Sequence, residues 1–195
     1  MGNTSATGGY LSPTVVSPPL EDADLDALLQ PVVIGITGLP GNMVRPRWQP
    51  GNPKQPEPSV NWCAIGVTVI KPDAGAYIEH VGAGSGQDNM QRHEEIELAC
   101  TFYGPLAGTY AAMLRDGLSI PQNLDLLQLQ AVGLIDCTDA RAIPELVNQQ
   151  WVRRFDITAR FRRQVKRSYG ILNILSANGT ILDDSGHVNE AFAAP

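Results

Sequence analysis

The sequence predicts an α+β fold, with a mostly antiparallel sheet, two main helices packed on it and one over-long amphipathic strand or hairpin. Three observations predict it. His93 to Tyr103 alternates, with Ile96, Leu98, Cys100 and Phe102 on one face and Glu95, Glu97, Ala99 and Thr101 on the other. Trp151 to Lys166 alternates too, placing Trp151, Phe155, Ile157, Ala159, Phe161 and Val165 together. Leu25, Leu28, Leu29, Val32, Val33 and Ile36 recur instead at the spacing of an apolar helix stripe.

Taken in chain order, residues 1–19 are rich in Gly, Ser, Thr and Pro and read as a flexible N-terminal arm, with Tyr10, Leu11, Val15 and Val16 as its large apolar groups. Residues 20–184 read as a single α+β domain, and 185–195 as a polar tail. The first helix starts near Glu21, with Asp22 and Asp24 suiting its positive end, and stops at Gly38 and Pro40. Pro31 is expected to kink it or force a restart. A proline-rich run from Pro40 to Pro58 reads as an extended connector held to the body by Trp48. Asn61 to Lys71 is apolar on both parities, as in a central strand covered on both faces. Pro72 to Gly75 turns the chain, Ala76 to Val81 reads as a hairpin partner, and Gly82 to Asn89 as a mobile loop.

After the strand 93–103, Leu106, Tyr110, Met113 and Leu114 mark one face of a helix that Gly117 is expected to end. The second half of Leu124 to Cys137 reads as a strand, and Thr138 to Leu146 as a loop. At about 3.3 Å per residue, 151–166 would extend about 53 Å, against a diameter of roughly 40 Å for a compact domain of this size. Such a strand needs a partner, either Leu129 to Cys137 or another subunit. Asn178-Gly179 reads as a turn before a short strand, Thr180 to Leu182.

The 195 residues are 43% hydrophobic and 17% charged, enough for a core without metal or disulfide staples. No apolar run approaches the roughly 20 residues of a membrane span, and residues 1–6 carry neither an export signal nor a complete myristoylation signal, Ala6 standing where Ser or Thr is required. Nothing in the chain is expected to export or anchor it. Cys63, Cys100 and Cys137 are isolated, which argues against a disulfide framework or zinc knuckle and for synthesis in a reducing cytosol. Cys100 falls on an apolar strand parity and reads as a small core hydrophobe.

Gly82-Ala-Gly-Ser-Gly86 invites a phosphate-binding reading, but it lacks the Lys-Ser/Thr of a P-loop and the spacing of a dinucleotide fingerprint. Ser85 lacks the flanking glycines of a nucleophile elbow. His93, Glu95 and Glu97 share a strand face without converging as helical metal ligands do. His80 and His187 have no sequence partner that makes a catalytic dyad. No catalytic, cofactor or metal site is expected.

Charge distribution is the stronger signal. Arg153, Arg154, Arg160, Arg162, Arg163, Lys166 and Arg167 supply seven of the 14 basic residues against Asp156 alone, so this span carries +6 and the remainder −12 of a net charge of −6. A basic ribbon on an acidic body can bind nucleic acid or dock on an identical neighbour's acidic face. The first helix offers such a face in Glu21, Asp22, Asp24 and Asp26. Nucleic-acid binding favours stacking aromatics beside the arginines, whereas Trp151, Phe155 and Phe161 lie on the opposite parity. Three classes stay open: an assembly subunit, a nucleic-acid-binding module using 153–167, and a small enzyme with an unrecognised site.

Several segments together resemble the neck or tail-terminator proteins of tailed bacteriophages. They are Leu39-Pro-Gly-Asn-Met-Val-Arg-Pro-Arg-Trp-Gln-Pro50, the connector into Asn61-Trp-Cys-Ala-Ile-Gly66, Thr101-Phe-Tyr-Gly104, and Trp151-Val-Arg-Arg-Phe-Asp-Ile157. The likeness covers about Leu20 to Gly170 and rests on element order and scattered Trp, Pro, Gly and Arg positions. It implies a structural virion protein without enzymatic activity or cofactor, made in the host cytoplasm and located in the phage neck. It further implies a homohexameric ring that ends the tail tube and joins the tail to the head. The partners are then other copies of the chain, the tail tube protein and a head-completion or connector protein, with the sheath protein a further candidate. DNA passes through the channel without specific binding, and no membrane is involved. Arg154, Arg160, Arg162, Arg163, Lys166 and Arg167, the four acids of the first helix, and Tyr10 and Leu11 of the arm are the candidate interface residues.

Overall fold

A computed structural model describes residues 3, 5–14, 19–49, 51, 53–147, 149–174, 177–182, 184–186 and 188–194. In chain order the elements are α1 (Asp22–Thr37), β1 (Val44–Pro46), β2 (Trp62–Pro72), β3 (Tyr77–Val81), β4 (Gln87–Tyr103), α2 (Ala107–Leu118), α3 (Asp125–Gln128), β5 (Val132–Cys137), β6 (Arg141–Ala142), β7 (Glu145–Val147), β8 (Gln150–Val152), β9 (Arg154–Tyr169), β10 (Ala177–Leu182) and β11 (Val188–Ala194). Among the described residues seven strands form the main sheet, in the order β1-β2-β4-β9-β5, with β3 paired to β4 and β6 to β9. β1 runs parallel to β2, whereas β2 and β3 pair antiparallel with β4, and β5 and β6 antiparallel with β9. The fold is α+β, as the alternating strands predict.

The chain divides into two compact units, one built from residues 1–18, 77–91 and 166–195 and the other from 19–76 and 92–165. The second holds the core. Leu25, Leu29 and Val33 of α1 and Ala111, Leu114 and Leu118 of α2 are buried with Ile65, Ile96, Leu98, Phe102, Ile157 and Phe161 from the sheet. Cys63 and Cys100 are buried there too, the latter as its strand parity predicts.

α1 runs through Pro31 as one helix. Pro31 cannot donate to the carbonyl of Ala27, but both residues are exposed, on the face of α1 where a carbonyl without a helix partner costs least. The helix ends at Gly38, whose positive φ of 70° lets its N–H reach the Ile34 carbonyl at 2.8 Å. On α2 the buried face is Ala107, Ala111, Leu114 and Leu118, whereas Leu106 and Met113 are exposed. Gly117 does not end this helix. It lies inside α2, where a Cβ would come 2.3 Å from Ile36 Cγ2, so its role is to let two helices approach.

The connector contributes a strand that its prolines conceal: β1 pairs Val44–Pro46 with Cys63–Ile65, and Gln30 Nε2 donates to the Val44 carbonyl at 2.6 Å. β2 is covered over Cys63–Gly66 only, and its second half is exposed. β3 pairs with β4, across the glycine loop, and β4 absorbs Gln87–Asn89, which the sequence assigned to that loop. The chain therefore has two over-long strands, β4 and β9, each running from one unit into the other. β9 breaks from β8 at Arg153, which reverses the parity: Val152 is buried and Trp151 is 73% exposed. β5 is the partner of β9 that Leu129 to Cys137 promised.

The stretch read as a loop, 138–146, contributes β6 and the start of β7. Asn178-Gly179 sits inside β10 rather than in a turn, and 188–194 of the expected polar tail pair with it as β11. In the arm, Thr14 N–H and Oγ1 both donate to the Ser168 carbonyl, at 2.7 and 2.9 Å, and Ser5 N–H reaches the Gly170 carbonyl at 3.3 Å. Val15, Val16 and His187 lie outside the described residues.

Candidate subunit interface

β9 carries the basic residues into the sheet, and four of them meet carboxylates of their own chain. Arg154 grips Asp156 with two donors, Nε at 2.9 Å and Nη2 at 2.6 Å, reaches Glu145 at 3.1 Å, and lies over the Tyr103 ring. Its charge is held by the Asp156 hydrogen bond first, which raises its pKa. Tyr103 in turn stacks on its cross-strand partner Trp62 with ring centroids 4.4 Å apart. Burial, then the Glu145 charge, pushes the Tyr103 hydroxyl's pKa up.

Arg160 forms a two-pronged pair with Asp136, its register partner on β5, and that hydrogen bond holds the Asp136 carboxyl below the usual carboxylate range. Arg162 donates to Asp73 at 2.7 Å and lies 3.8 Å from Glu95. Arg163 belongs to the interior. It is 4% exposed, donates to Glu94 and Glu21 at 2.9 Å each, and also to the Leu20 carbonyl. The expectation that Arg163 and Glu21 present opposite charges to a neighbour is overturned for this pair, since they bind each other. A lone arginine on the parity of Ile157, Ala159, Phe161 and Val165 was the signal for it.

Asp26 also leaves the expected acidic face. It is buried, and its Oδ1 accepts the Val67 N–H at 2.9 Å, where the β2–β4 register shifts between Val67 and Val69. Its place on the α1 face shared with Leu29 and Val33 pointed inward from the start. Asp22 and Asp24 remain exposed, and so do Arg153 and Lys166; Arg167 and Leu11 are half-buried, and Tyr10 is 97% exposed.

Beside the Asp26 clasp, the outer edge of β2 opens. β1 covers only Cys63–Ile65, and among the described residues no strand pairs with the far side of Val67–Pro72. A groove of about 570 Å³ lies there between α1 and β2, lined by Leu25, Pro46, Trp48, Val69 and Ile70, with Asp22 at its wall. Trp48 is 59% exposed yet seated, because Gly66 beneath it lacks the Cβ that would meet its ring at 2.6 Å.

His80 does have partners: its Nδ1 lies 2.6 Å from Asp88 Oδ1 and its Nε2 2.7 Å from Asn173 Oδ1. Both ring nitrogens face acceptors, so the imidazolium is the form that satisfies both, and its pKa is raised, by the Asp88 hydrogen bond first. Neither nitrogen is left to activate a hydroxyl or thiol. Asn173 Nδ2 also donates to the Gly82 carbonyl at 2.7 Å, so the glycine loop is held by an amide rather than arranged around an anion. Burial pushes the Cys63 thiol up, and that of Cys137 up to about 11, so both are protonated at neutral pH.

These contacts accompany a match to a family model, that of the phage neck terminator protein, over residues 23–185. The chain belongs to the phage neck terminator family. No curated protein matches it. As a phage neck terminator it is a structural component of the virion. Among the described residues no helix is long and apolar enough to cross a membrane.

Proposed function

We propose that this neck terminator is the subunit of a closed homomeric ring, of six copies by the resemblance, that ends the tail tube and joins it to a head-completion or connector protein. The tail tube protein lies on one side and the sheath protein, where present, around it. DNA passes through the channel without specific contacts. The observation that carries this reading is the internal neutralisation of the basic ribbon: Arg154, Arg160, Arg162 and Arg163 are each bound to carboxylates of the same chain. Phosphate binding scales with available Lys and Arg, so an acidic chain with its arginines so engaged lets DNA slide. The same observation disfavours a nucleic-acid-binding module.

Native mass spectrometry and electron-microscope images of the purified protein test the ring. A cyclic oligomer is expected, together with DNA binding that is undetectable at moderate salt. A monomer at all concentrations, or steeply salt-dependent DNA binding, would refute the reading.

A further inference from the structure

On the ring reading just given, we propose that neighbouring copies of this chain engage through a hairpin and a groove. The β7–β8 hairpin of one copy seats Leu146 and Trp151 in the groove between α1 and the outer edge of β2 of the next.

The hairpin is built to present these two side chains. Leu146 and Trp151 are register partners across β7 and β8, and both are exposed, Leu146 at 57%. Side chains directly opposite on an antiparallel pair share one face, so the two form a single apolar knob. A tryptophan offers some 150–250 Å² of contact surface, and aromatic anchors in desolvated pockets dominate interface energetics. Among the described residues most of the Trp151 side chain stays uncovered, at 73% exposure.

The groove is the matching element. Its volume of about 570 Å³ accommodates an indole and a leucine side chain, and Trp48, Val69 and Ile70 offer exposed apolar walls. The rims carry opposite charges. Asp22 stands at the groove and Asp24 on the same turn of α1, while Arg153 follows β8 and Arg141 lies on β6; all four are exposed and without an ion pair among the described residues. Knob and groove therefore agree in shape, polarity and rim charge. They belong to the same compact unit, and they are different surfaces of one chain. Such a contact is heterologous, so it generates a ring or filament rather than a two-fold dimer. One knob is an anchor and not the whole of a standard interface, which needs on the order of 1,200–2,000 Å².

Cross-linking of the full-length chain tests this pairing. The variants are Trp151→Cys, Ile70→Cys and the two combined, with the native thiols as a quiet background: Cys63 and Cys100 are buried and the Cys137 thiol is pushed up to about 11. Both substituted positions are exposed, so thermal unfolding midpoints near the parent's are expected. Under mild oxidation the double variant should give a ladder of disulfide-linked multimers up to the ring's size, while each single variant stops short of it. Trp151→Ala should weaken subunit association roughly tenfold or more without changing the unfolding midpoint. Rings of normal mass that neither cross-link in the double variant nor weaken with Trp151→Ala would overturn the pairing and leave the ring reading intact, with the groove open to another neck protein. A parent chain that never leaves the monomer would overturn both.

Discussion

Replacing Arg163 by methionine isolates a charge that the fold has taken out of water. The arginine side chain is 5% exposed and Glu94 is 13% exposed, so the substitution strands a nearly buried carboxylate. Breaking a buried pair by removing one partner costs about 3–5 kcal/mol. Glu21, with 37% of its side chain exposed, keeps its water and adds little. The Leu20 carbonyl loses a donor, which adds about 1 kcal/mol. A loss of about 4–6 kcal/mol is a large part of the roughly 5–15 kcal/mol that holds a domain together. With a urea slope of about 2 kcal/mol/M, the unfolding midpoint should fall by about 2–3 M. Tryptophan fluorescence during urea titration reads it directly. The double variant Arg163→Met with Glu94→Met strands no carboxylate at this site and should recover more than half of the loss. A single-variant loss below about 1 kcal/mol, or a double variant less stable than the single one, would refute the argument that desolvation governs this site.

Arg160→Glu with Arg162→Glu breaks half-exposed pairs, so it should cost the monomer little, and native mass spectrometry should show weakened assembly only where these residues meet a neighbour; a lowered melting point with unchanged rings assigns them to the fold. His80 has a raised pKa in the folded chain, so its contribution is complete below the unfolded value of about 6.5 and is lost as pH rises through the folded one; NMR titration of His80 and exchange of the Asn173 amide should change together in that window. Asp136 behaves oppositely: its lowered pKa contributes above the unfolded carboxylate value, and the contribution fades as pH falls through the folded one, readable as a carboxyl titration that Arg160→Gln shifts upward. Ala131 holds a φ of 54°, where a Cβ is strained, so Ala131→Gly should raise the urea midpoint, by an amount worth about 0.5–1 kcal/mol.

The core was legible wherever one face is dry. Ile96, Leu98, Cys100 and Phe102 could be assigned from alternation alone, and all four are buried. Gln87 to Arg92 was not, because a strand whose residues are, Met90 apart, polar on both parities owes its conformation to pairing with β3, and pairing leaves no period in the sequence. Trp151 was misassigned through one irregular residue, Arg153, because a single interruption inverts every side chain before it. The arginines were visible as charge, but their partners Asp136, Asp73 and Glu94 lie 24 to 89 residues away in sequence. Only strand pairing joins them.

The two strands that run through both units also set the order in which the chain can finish folding. Ser168 Oγ bonds Asn89, and the Ser168 carbonyl receives Thr14, contacts spanning 79 and 154 residues. Topologies dominated by such distant pairings fold slowly, and a chain emerging from the ribosome at about 5–20 residues per second exposes β4 for seconds before the end of β9 exists. Through that interval the 87–92 end of β4 waits with one edge unpaired. Gln87, Asp88, Asn89, Gln91 and Arg92 make that edge a poor template for another chain's strand. The polar composition that hid this strand from pattern reading is what lets it wait without aggregating.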